Sequence, residues 1–222
     1  MLLVSALAAW SASPPRVPTL LVFGDSVSAG YGIRVDEGWV ALLQSRLRTQ
    51  GYGYRVVNAS VSGETTAGGL ARLPRALGLH RPKIVVIELG GNDGLRGLPL
   101  AEVRRNLDGM IRTARAGGAR VLLIGMRLPP NYGGPYVDGF HAVYGDLAKR
   151  YALPLVPFLL EGVALDATLM QPDGIHPTAA AQPRLLDNVW SVLKPMLGAP
   201  MGAHAVAKSA GARVAERQMP ML

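Results

Sequence analysis

Short apolar runs alternate with helical patterns along most of the chain. Five runs, each bounded by Gly, Pro or polar residues, are typical of strands buried on both faces. These runs cover residues 19–23, 54–59, 83–90, 121–125 and 153–158. Between and after them, apolar residues recur at helical spacing around residues 39–47, 65–79, 103–114, 140–147 and 185–196. The alternation predicts a mainly parallel five-stranded sheet with helices on both faces, a three-layer α/β/α sandwich of flavodoxin-like architecture.

The two ends of the chain depart from this pattern. Residues 1–17 form an apolar stretch followed by small residues and prolines, which is typical of a secretory signal and its cleavage zone. After residue 198 the apolar stripe stops, which predicts a disordered tail over residues 199–222. We therefore expect one folded domain at residues 18–198 and a periplasmic or secreted location.

The composition removes several classes of function. Hydrophobic residues make up 49% of the chain, which is ample for a packed core. The absence of cysteine excludes disulfide scaffolds, thiolate zinc sites and cysteine nucleophiles. The net charge is +8, but the positive residues are mostly scattered single arginines without interleaved aromatic side chains. We therefore expect no nucleic-acid partner, at most transient contact with lipid surfaces, and a monomer.

Polar residues that can carry out chemistry cluster in four loops, three of which follow predicted strands. Active sites of such sheets lie at the carboxyl ends of the strands. Ser26 follows the first strand, where a turn can expose its hydroxyl. A serine hydroxyl attacks an acyl group only when a base removes its proton. His176 is the candidate base, because Asp173 lies three residues before it and can fix the tautomer of its imidazole.

An oxyanion that forms during acyl transfer needs hydrogen-bond donors already aimed at it. The backbone N–H of Ser26 is one candidate donor, since it begins the following helix. Gly63, after the second strand, is another, because a side chain there would crowd the acyl group. Asn92 offers a side-chain amide from a glycine-flanked loop after the third strand. Each signal is weak by itself, but their joint order along the chain is specific.

Four segments together resemble the sequence blocks of the SGNH hydrolases, also called the GDSL family: LLVFGDSVSAGYG, VVNASVSGETT, ELGGNDGLRG and DGIHP. The resemblance runs from about residue 18 to about residue 198 and is close to bacterial periplasmic thioesterases with esterase and lysophospholipase activity. It implies that Ser26, Gly63, Asn92 and His176 are the residues that name the family, and that Asp173 completes a triad. It also implies hydrolysis of small acyl esters and thioesters, without metal or organic cofactor.

Two other functions remain open at this stage. A carbohydrate or short-chain acetylesterase on the same scaffold would prefer acetyl over longer acyl groups. A non-catalytic module could hold an acyl ligand or a flavin, although the first loop, with Asp25 and Ser26, lacks the features of a phosphate cradle. A metal site at Asp173 and His176 would need further ligands, and no cluster of them accompanies the pair.

Other residues receive simpler interpretations. Asp25 and Asp93 are expected to hold their turns by local hydrogen bonds, and Asn58 to brace a loop. Leu128 and Tyr132, after the fourth strand, are candidates for the wall of an acyl-binding groove. The remaining histidines are expected on the surface or on helices: His80, His141 and His204.

Overall fold

The apolar runs form the five strands of one sheet in the computed structural model, which describes residues 17–200. The strands are β1 (Thr19–Gly24), β2 (Arg55–Asn58), β3 (Ile84–Glu88), β4 (Arg120–Ile124) and β5 (Leu155–Val156). All neighbouring strands are parallel, in the order β2-β1-β3-β4-β5. The predicted α/β class with a parallel five-stranded sheet is confirmed.

Helices cover both faces of this sheet. The described residues contain α1 (Ser26–Ala29), α2 (Trp39–Thr49), α3 (Thr66–His80), α4 (Gly91–Leu95), α5 (Leu100–Ala116), α6 (Gly134–Tyr151) and α7 (Gln182–Leu193). Apolar residues of α2 and α7 pack on one face, and those of α3, α5 and α6 pack on the other. Helix α1 begins at Ser26, as expected, whereas the short helix α4 was not predicted, because it has no room for an apolar stripe.

Strand β1, which lies between β2 and β3, shows why its sequence is a continuous apolar run. Leu20 and Val22 point into the core cluster formed with α2 and α7. Leu21 and Phe23 point into the opposite cluster, formed with α3, α5 and α6. All four side chains are fully buried. A strand covered on both faces needs apolar residues at every position, not at alternate ones.

Two elements differ in length from the sequence prediction. The last strand was predicted over residues 153–158 but is only two residues long. Pro154 and Pro157 flank it, and proline has no N–H to donate to a neighbouring strand. Helix α6 begins at Gly134, before the predicted start at residue 140, with Pro135 in its first turn. The prediction began later because the Gly and Pro residues at positions 133–135 are typical of loops.

Predictions for the chain ends lie mostly outside the described residues. The signal-like stretch at residues 1–16 and the tail at residues 201–222 belong to the parts of the chain that are not described. Within residues 17–200, no helix combines the length and the apolar character that a membrane crossing requires.

The strand order brings three loops to one place. β1 lies between β2 and β3, with Val22 opposite Asn58 and Gly24 opposite Glu88. The carboxyl ends of these three parallel strands therefore lie side by side. The loops that follow them carry Ser26, Gly63 and Asn92 respectively, so the topology alone gathers residues that are far apart in sequence.

Candidate active site

Ser26, His176 and Asp173 form a continuous chain of hydrogen bonds. The hydroxyl Oγ of Ser26 lies 2.8 Å from Nε2 of His176. The other ring nitrogen, Nδ1, lies 2.7 Å from Oδ2 of Asp173. The serine and the histidine are 150 residues apart in sequence, so the fold has brought a hydroxyl, an imidazole and a carboxylate into the geometry of a nucleophile, a base and the group that orients the base.

The Asp173 carboxylate determines which nitrogen of His176 carries the proton. Its Oδ1 accepts backbone N–H groups of Ile175 at 2.9 Å and of His176 at 3.0 Å. These bonds and the one from the imidazole lower the pKa of Asp173 to about 2, with the backbone bond from His176 contributing most. An ionised carboxylate only accepts hydrogen bonds, so Nδ1 must donate. Nε2 of the neutral ring is then free to accept the proton of Ser26.

The segment at residues 25–31, here called the nucleophile loop, is held by buried carboxyl groups. Asp25 is the N-cap residue of α1, and its Oδ1 accepts the N–H of Val27 at 3.1 Å. The N–H of Asp25 donates to Oε2 of Glu88 at 3.3 Å, and the hydroxyl of Ser28 donates to the same oxygen at 2.6 Å. The predicted local role of Asp25 is confirmed, and it extends to a carboxyl group on the neighbouring strand.

Sequence reasoning missed Glu88. Its side chain is 1% exposed, and burial raises its pKa well above the usual range. Burial also raises the pKa of Asp25 to about 6. A Cβ on Gly24, the residue opposite Glu88, would lie 2.4 Å from its Oε2, so glycine is needed for this close approach. The signal was visible as an acidic residue that ends an otherwise apolar strand.

The two further oxyanion candidates flank the nucleophile from neighbouring loops. Gly63 is exposed and has φ +79, a conformation that favours glycine, and a Cβ there would have open space around it. The side-chain Nδ2 of Asn92 donates to the carbonyl of Glu64 at 3.0 Å and, at 3.4 Å, to Oδ2 of Asp25. The first bond fixes the amide, and the second is long enough to yield to a stronger acceptor.

Asp93 connects α4 to α3. It is fully buried, and its carboxylate accepts the N–H of Thr66 at 2.9 Å and the hydroxyl of the same residue at 2.5 Å. The prediction that Asp93 holds its own turn is therefore too local. It joins the loop that follows β3 to the helix that follows the Gly63 segment, so two of the site's loops are tied together below the surface.

Gln171 connects the segment at residues 171–177, here called the base loop, to the nucleophile loop. Its backbone N–H donates to the carbonyl of His176 at 2.7 Å. Its side-chain Nε2 donates to the carbonyls of Tyr31 at 2.8 Å and Pro177 at 3.0 Å. The Tyr31 ring lies against the imidazole of His176, with centroids 4.5 Å apart. Sequence reasoning missed both Gln171 and Tyr31, because only the fold shows that these segments meet.

The two candidate groove residues have different surroundings. Leu128 is 8% exposed and packs in the core, close to Gly94 and Phe140. Most of this side chain serves packing. Tyr132 is half-buried, and its hydroxyl donates to the carbonyl of Leu95 at 3.1 Å, which joins the loops after β3 and β4. Direct substrate contact stays a prediction for both.

The remaining sequence interpretations concern residues beside the site. Asn58 braces the loop after β2 against α1, since its Nδ2 donates to the carbonyl of Ser28 at 2.7 Å and its Oδ1 accepts the N–H of Ser60 at 3.1 Å. His80 and His141 lie on helices α3 and α6, which confirms that expectation. His204 lies outside the described residues.

Known proteins and a family model match most of this chain. Residues 22–183 match the model of the GDSL-like Lipase/Acylhydrolase family. The chain is 60% identical to Esterase TesA from Pseudomonas aeruginosa over 179 residues, which cover 81% of this chain and 89% of that protein. It is 45% identical to Thioesterase 1/protease 1/lysophospholipase L1 from Escherichia coli, covering 81% of this chain and 85% of that protein.

Solved structures of esterases also resemble this chain. A crystal structure of TesA aligns with 81% of this chain and 99% of its own length, at a TM-score of 0.79 and 60% identity. The psychrotrophic esterase EstA from Pseudoalteromonas, inhibited by monoethylphosphonate, aligns with 82% of this chain and 99% of its own length, at a TM-score of 0.78 and 37% identity. By fold, by sequence and by family match, this chain belongs to the GDSL-like lipase/acylhydrolase family.

Proposed function

We propose that the chain is a serine hydrolase that cleaves small acyl esters and thioesters through an acyl-serine intermediate. The observation that carries the proposal is the hydrogen-bond chain from Ser26 through His176 to Asp173, with distances of 2.8 Å and 2.7 Å. Membership of an acylhydrolase family supports it, as do relatives named esterase and thioesterase.

The first half of the reaction acylates the serine. Ser26 Oγ bonds to the acyl carbon while its proton passes to Nε2 of His176. The oxyanion of the tetrahedral intermediate accepts hydrogen bonds from the N–H groups of Ser26 and Gly63 and from the amide of Asn92. The intermediate collapses, the bond to the alcohol or thiol breaks, and the leaving group takes the proton from His176.

The second half returns the enzyme to its starting state. A water molecule gives its proton to Nε2 of His176 as its oxygen attacks the acyl carbon. The same donors stabilise the second oxyanion. Collapse breaks the bond to Ser26, which regains the proton, and the carboxylic acid leaves. Asp173 stays ionised throughout and stabilises the imidazolium that forms in each half.

Exposed apolar side chains around the site support an acyl substrate. Tyr31 and Val61 are 53% and 46% exposed and lie in the loops after β1 and β2. Ile175 is 42% exposed and lies next to the base. An acyl chain in this neighbourhood would cover apolar surface and so gain binding energy. Substrate contacts of Leu128 and Tyr132, and transient contact of this rim with lipid, are parts of the proposal.

The decisive test compares Ser26→Ala with the wild type on p-nitrophenyl esters from acetyl to palmitoyl and on an acyl thioester. We expect a loss of at least about 1000-fold in kcat. Ser45→Ala, an exposed serine on α2, is the matched control and should keep full activity. Equal rates for Ser26→Ala and wild type would exclude the mechanism. A steep preference for acetate would favour an acetylesterase, and no turnover at all would favour a binding module.

The proposal also covers the bounds of the domain, its oligomeric state and the location of the protein. The catalytic unit is a monomeric domain at residues 18–198, and the family match at residues 22–183 lies inside it. The apolar stretch at residues 1–17 directs export to the periplasm or beyond and is then removed. Mass spectrometry of the mature N-terminus tests the removal of residues 1–17, since an intact Met1 in exported protein would contradict it. Sedimentation analysis tests whether the domain is a monomer.

A further inference from the structure

The segment at residues 59–64, here called the Gly63 loop, supports two of the proposed oxyanion donors at once. It contains the backbone N–H of Gly63. It also ends at Glu64, whose carbonyl accepts the Nδ2 of Asn92 at 3.0 Å. Any displacement of this loop would therefore move both donors together. Besides the bond from Asn92 and the one from the N–H of Val61 to the carbonyl of Gly24 at 3.0 Å, the loop is held by a side chain that belongs neither to the triad nor to the oxyanion donors.

Arg72, two turns along α3, bridges the two ends of the Gly63 loop. Its Nη1 donates to the carbonyl of Ala59 at 2.7 Å, where the loop begins. Its Nε donates to Oε2 of Glu64 at 2.9 Å, where the loop ends. The planar guanidinium presents these donors in fixed relative directions, so the two bonds set the distance between the ends of the loop.

Both partners of the Arg72 ion pair are confined by packing. The guanidinium carbon lies 4.1 Å from the ring centroid of Phe23, near the end of β1. A Cβ on Gly68 would lie 2.1 Å from Oε1 of Glu64, so the carboxyl sits directly against α3. The side chains of Arg72 and Glu64 are only 29% and 13% exposed. Such a pair is less screened by water than a surface pair.

We propose that Arg72 is a positioning residue that preorganises the oxyanion donors through the Gly63 loop. This inference rests on the proposed function. Arg72 fixes Ala59 and Glu64, Glu64 fixes the amide of Asn92, and the loop geometry fixes the N–H of Gly63. The donors are needed most when negative charge develops on the substrate oxygen. The effect of Arg72 therefore falls on the transition state and not on substrate binding.

The test is the steady-state kinetics of Arg72→Met, which keeps much of the apolar stem but removes both bonds. We expect kcat to fall about 10- to 100-fold, less than the 100- to 1000-fold typical for loss of a donor itself, with KM within about twofold of wild type. Arg72→Lys cannot bond both ends of the loop and should lie between the two proteins. Arg104→Met is the matched control, because Arg104 pairs with Asp146 at the surface, where the two side chains are 41% and 58% exposed.

Two measurements separate positioning from general damage. Titration with a fluorophosphonate counts functional serines, so kcat is expressed per competent site. A trifluoromethyl ketone, which forms a tetrahedral adduct with an oxyanion, should lose affinity in parallel with kcat/KM. A second perturbation, Gly68→Ala, displaces the Glu64 carboxyl while leaving Arg72 in place and should reproduce the kinetic pattern.

The proposal is overturned if kcat per titrated site of Arg72→Met and Arg72→Lys stays within twofold of wild type, or if the loss appears in KM alone. If Arg72→Met does not fold, Arg72→Lys and Gly68→Ala decide the question by the same criteria. Failure of the proposed function looks different, because Ser26→Ala would then keep the wild-type rate whatever Arg72 does.

Discussion

Two aspartates lie near the candidate nucleophile Ser26, and their side chains have the same chemistry but different surroundings. Asp25 is 3% exposed and sits beside the carboxyl of Glu88 under the nucleophile loop. Asp173 has a side chain that is 38% exposed and lies in the base loop. The pKa of Asp25 is raised to about 6 by burial, whereas that of Asp173 is lowered to about 2 by hydrogen bonds.

The difference shows how one fold assigns separate tasks to identical side chains. Asp173 accepts two backbone N–H groups and the imidazole, so it stays ionised and can stabilise a cationic His176. Asp25 accepts the N–H of Val27 and a long bond from Asn92 while remaining buried. Its task is to hold the start of α1 and the neighbouring amide, and it does so at a cost whenever it is ionised.

The largest expected effect concerns Asp173, the more exposed of the two aspartates. Asp173→Asn keeps the size of the side chain but allows the wrong tautomer of His176, so we expect kcat to fall about 1000- to 10,000-fold. Asp25→Asn keeps a good helix cap and should cost less than about 10-fold. Asp166→Asn is the control, because Asp166 makes similar local bonds to Thr168. Equal losses for Asp173→Asn and Asp25→Asn would erase the proposed division of tasks.

The next effect concerns stability and has opposite signs for the two aspartates. The folded pKa of Asp25 lies above its unfolded value, so the folded state binds the proton more tightly and loses stability as pH rises from about 4 to 6. Asp25→Asn removes this loss, so its free energy of unfolding should gain on the order of 2 kcal/mol relative to wild type over that range. Urea unfolding at several pH values measures the difference.

Asp173 supplies the contrast in the same experiment. Its folded pKa lies below the unfolded value, so it contributes stability above about pH 4 that disappears as pH falls toward 2. Wild type should therefore lose stability relative to Asp173→Asn on acidification. A difference that does not change with pH, for either variant, would contradict the assigned environment of that aspartate.

The smallest effect tests the packing of the base loop. The ring of Tyr31 lies 4.5 Å from that of His176 and can stabilise the imidazolium that forms during attack. Tyr31→Leu should lower kcat about two- to fivefold, since an exposed contact of this kind contributes about 0.5–1 kcal/mol. Tyr31→Phe keeps the aromatic face and should match wild type. A full loss in Tyr31→Phe would show that the hydroxyl, not the ring, is responsible.

Elements with a strong apolar pattern were predictable to within a residue or two. The predicted strand at residues 121–125 is observed at Arg120–Ile124, and the predicted strand at residues 83–90 is observed at Ile84–Glu88. Buried strands and amphipathic helices carry their own signal because burial constrains every residue that faces the core. The short length of β5 and the early start of α6 were missed, since prolines beside an apolar run and a Gly-Pro start of a helix interrupt such a pattern.

The candidate nucleophile, base and orienting acid were predictable because their spacing is local or tied to strand ends. Asp173 and His176 are three residues apart, and only Asp25 separates Ser26 from the end of β1. The supporting residues were not predictable in the same way. In the sequence, Arg72 is an ordinary polar position on α3. Its proposed role depends on the fold, which brings it within hydrogen-bond distance of both ends of the Gly63 loop.

The sequence by itself determined the parallel α/β class, the family, and the candidate residues for acyl transfer. Those follow from apolar periodicity and from short motifs, which act over a few residues. Only the tertiary structure decided that β1 lies between β2 and β3, that Glu88 is buried beneath Ser26, and that two aspartates have opposite pKa shifts. The reason is physical, since strand order, burial and electrostatic environment are set by contacts between segments that the chain itself keeps far apart.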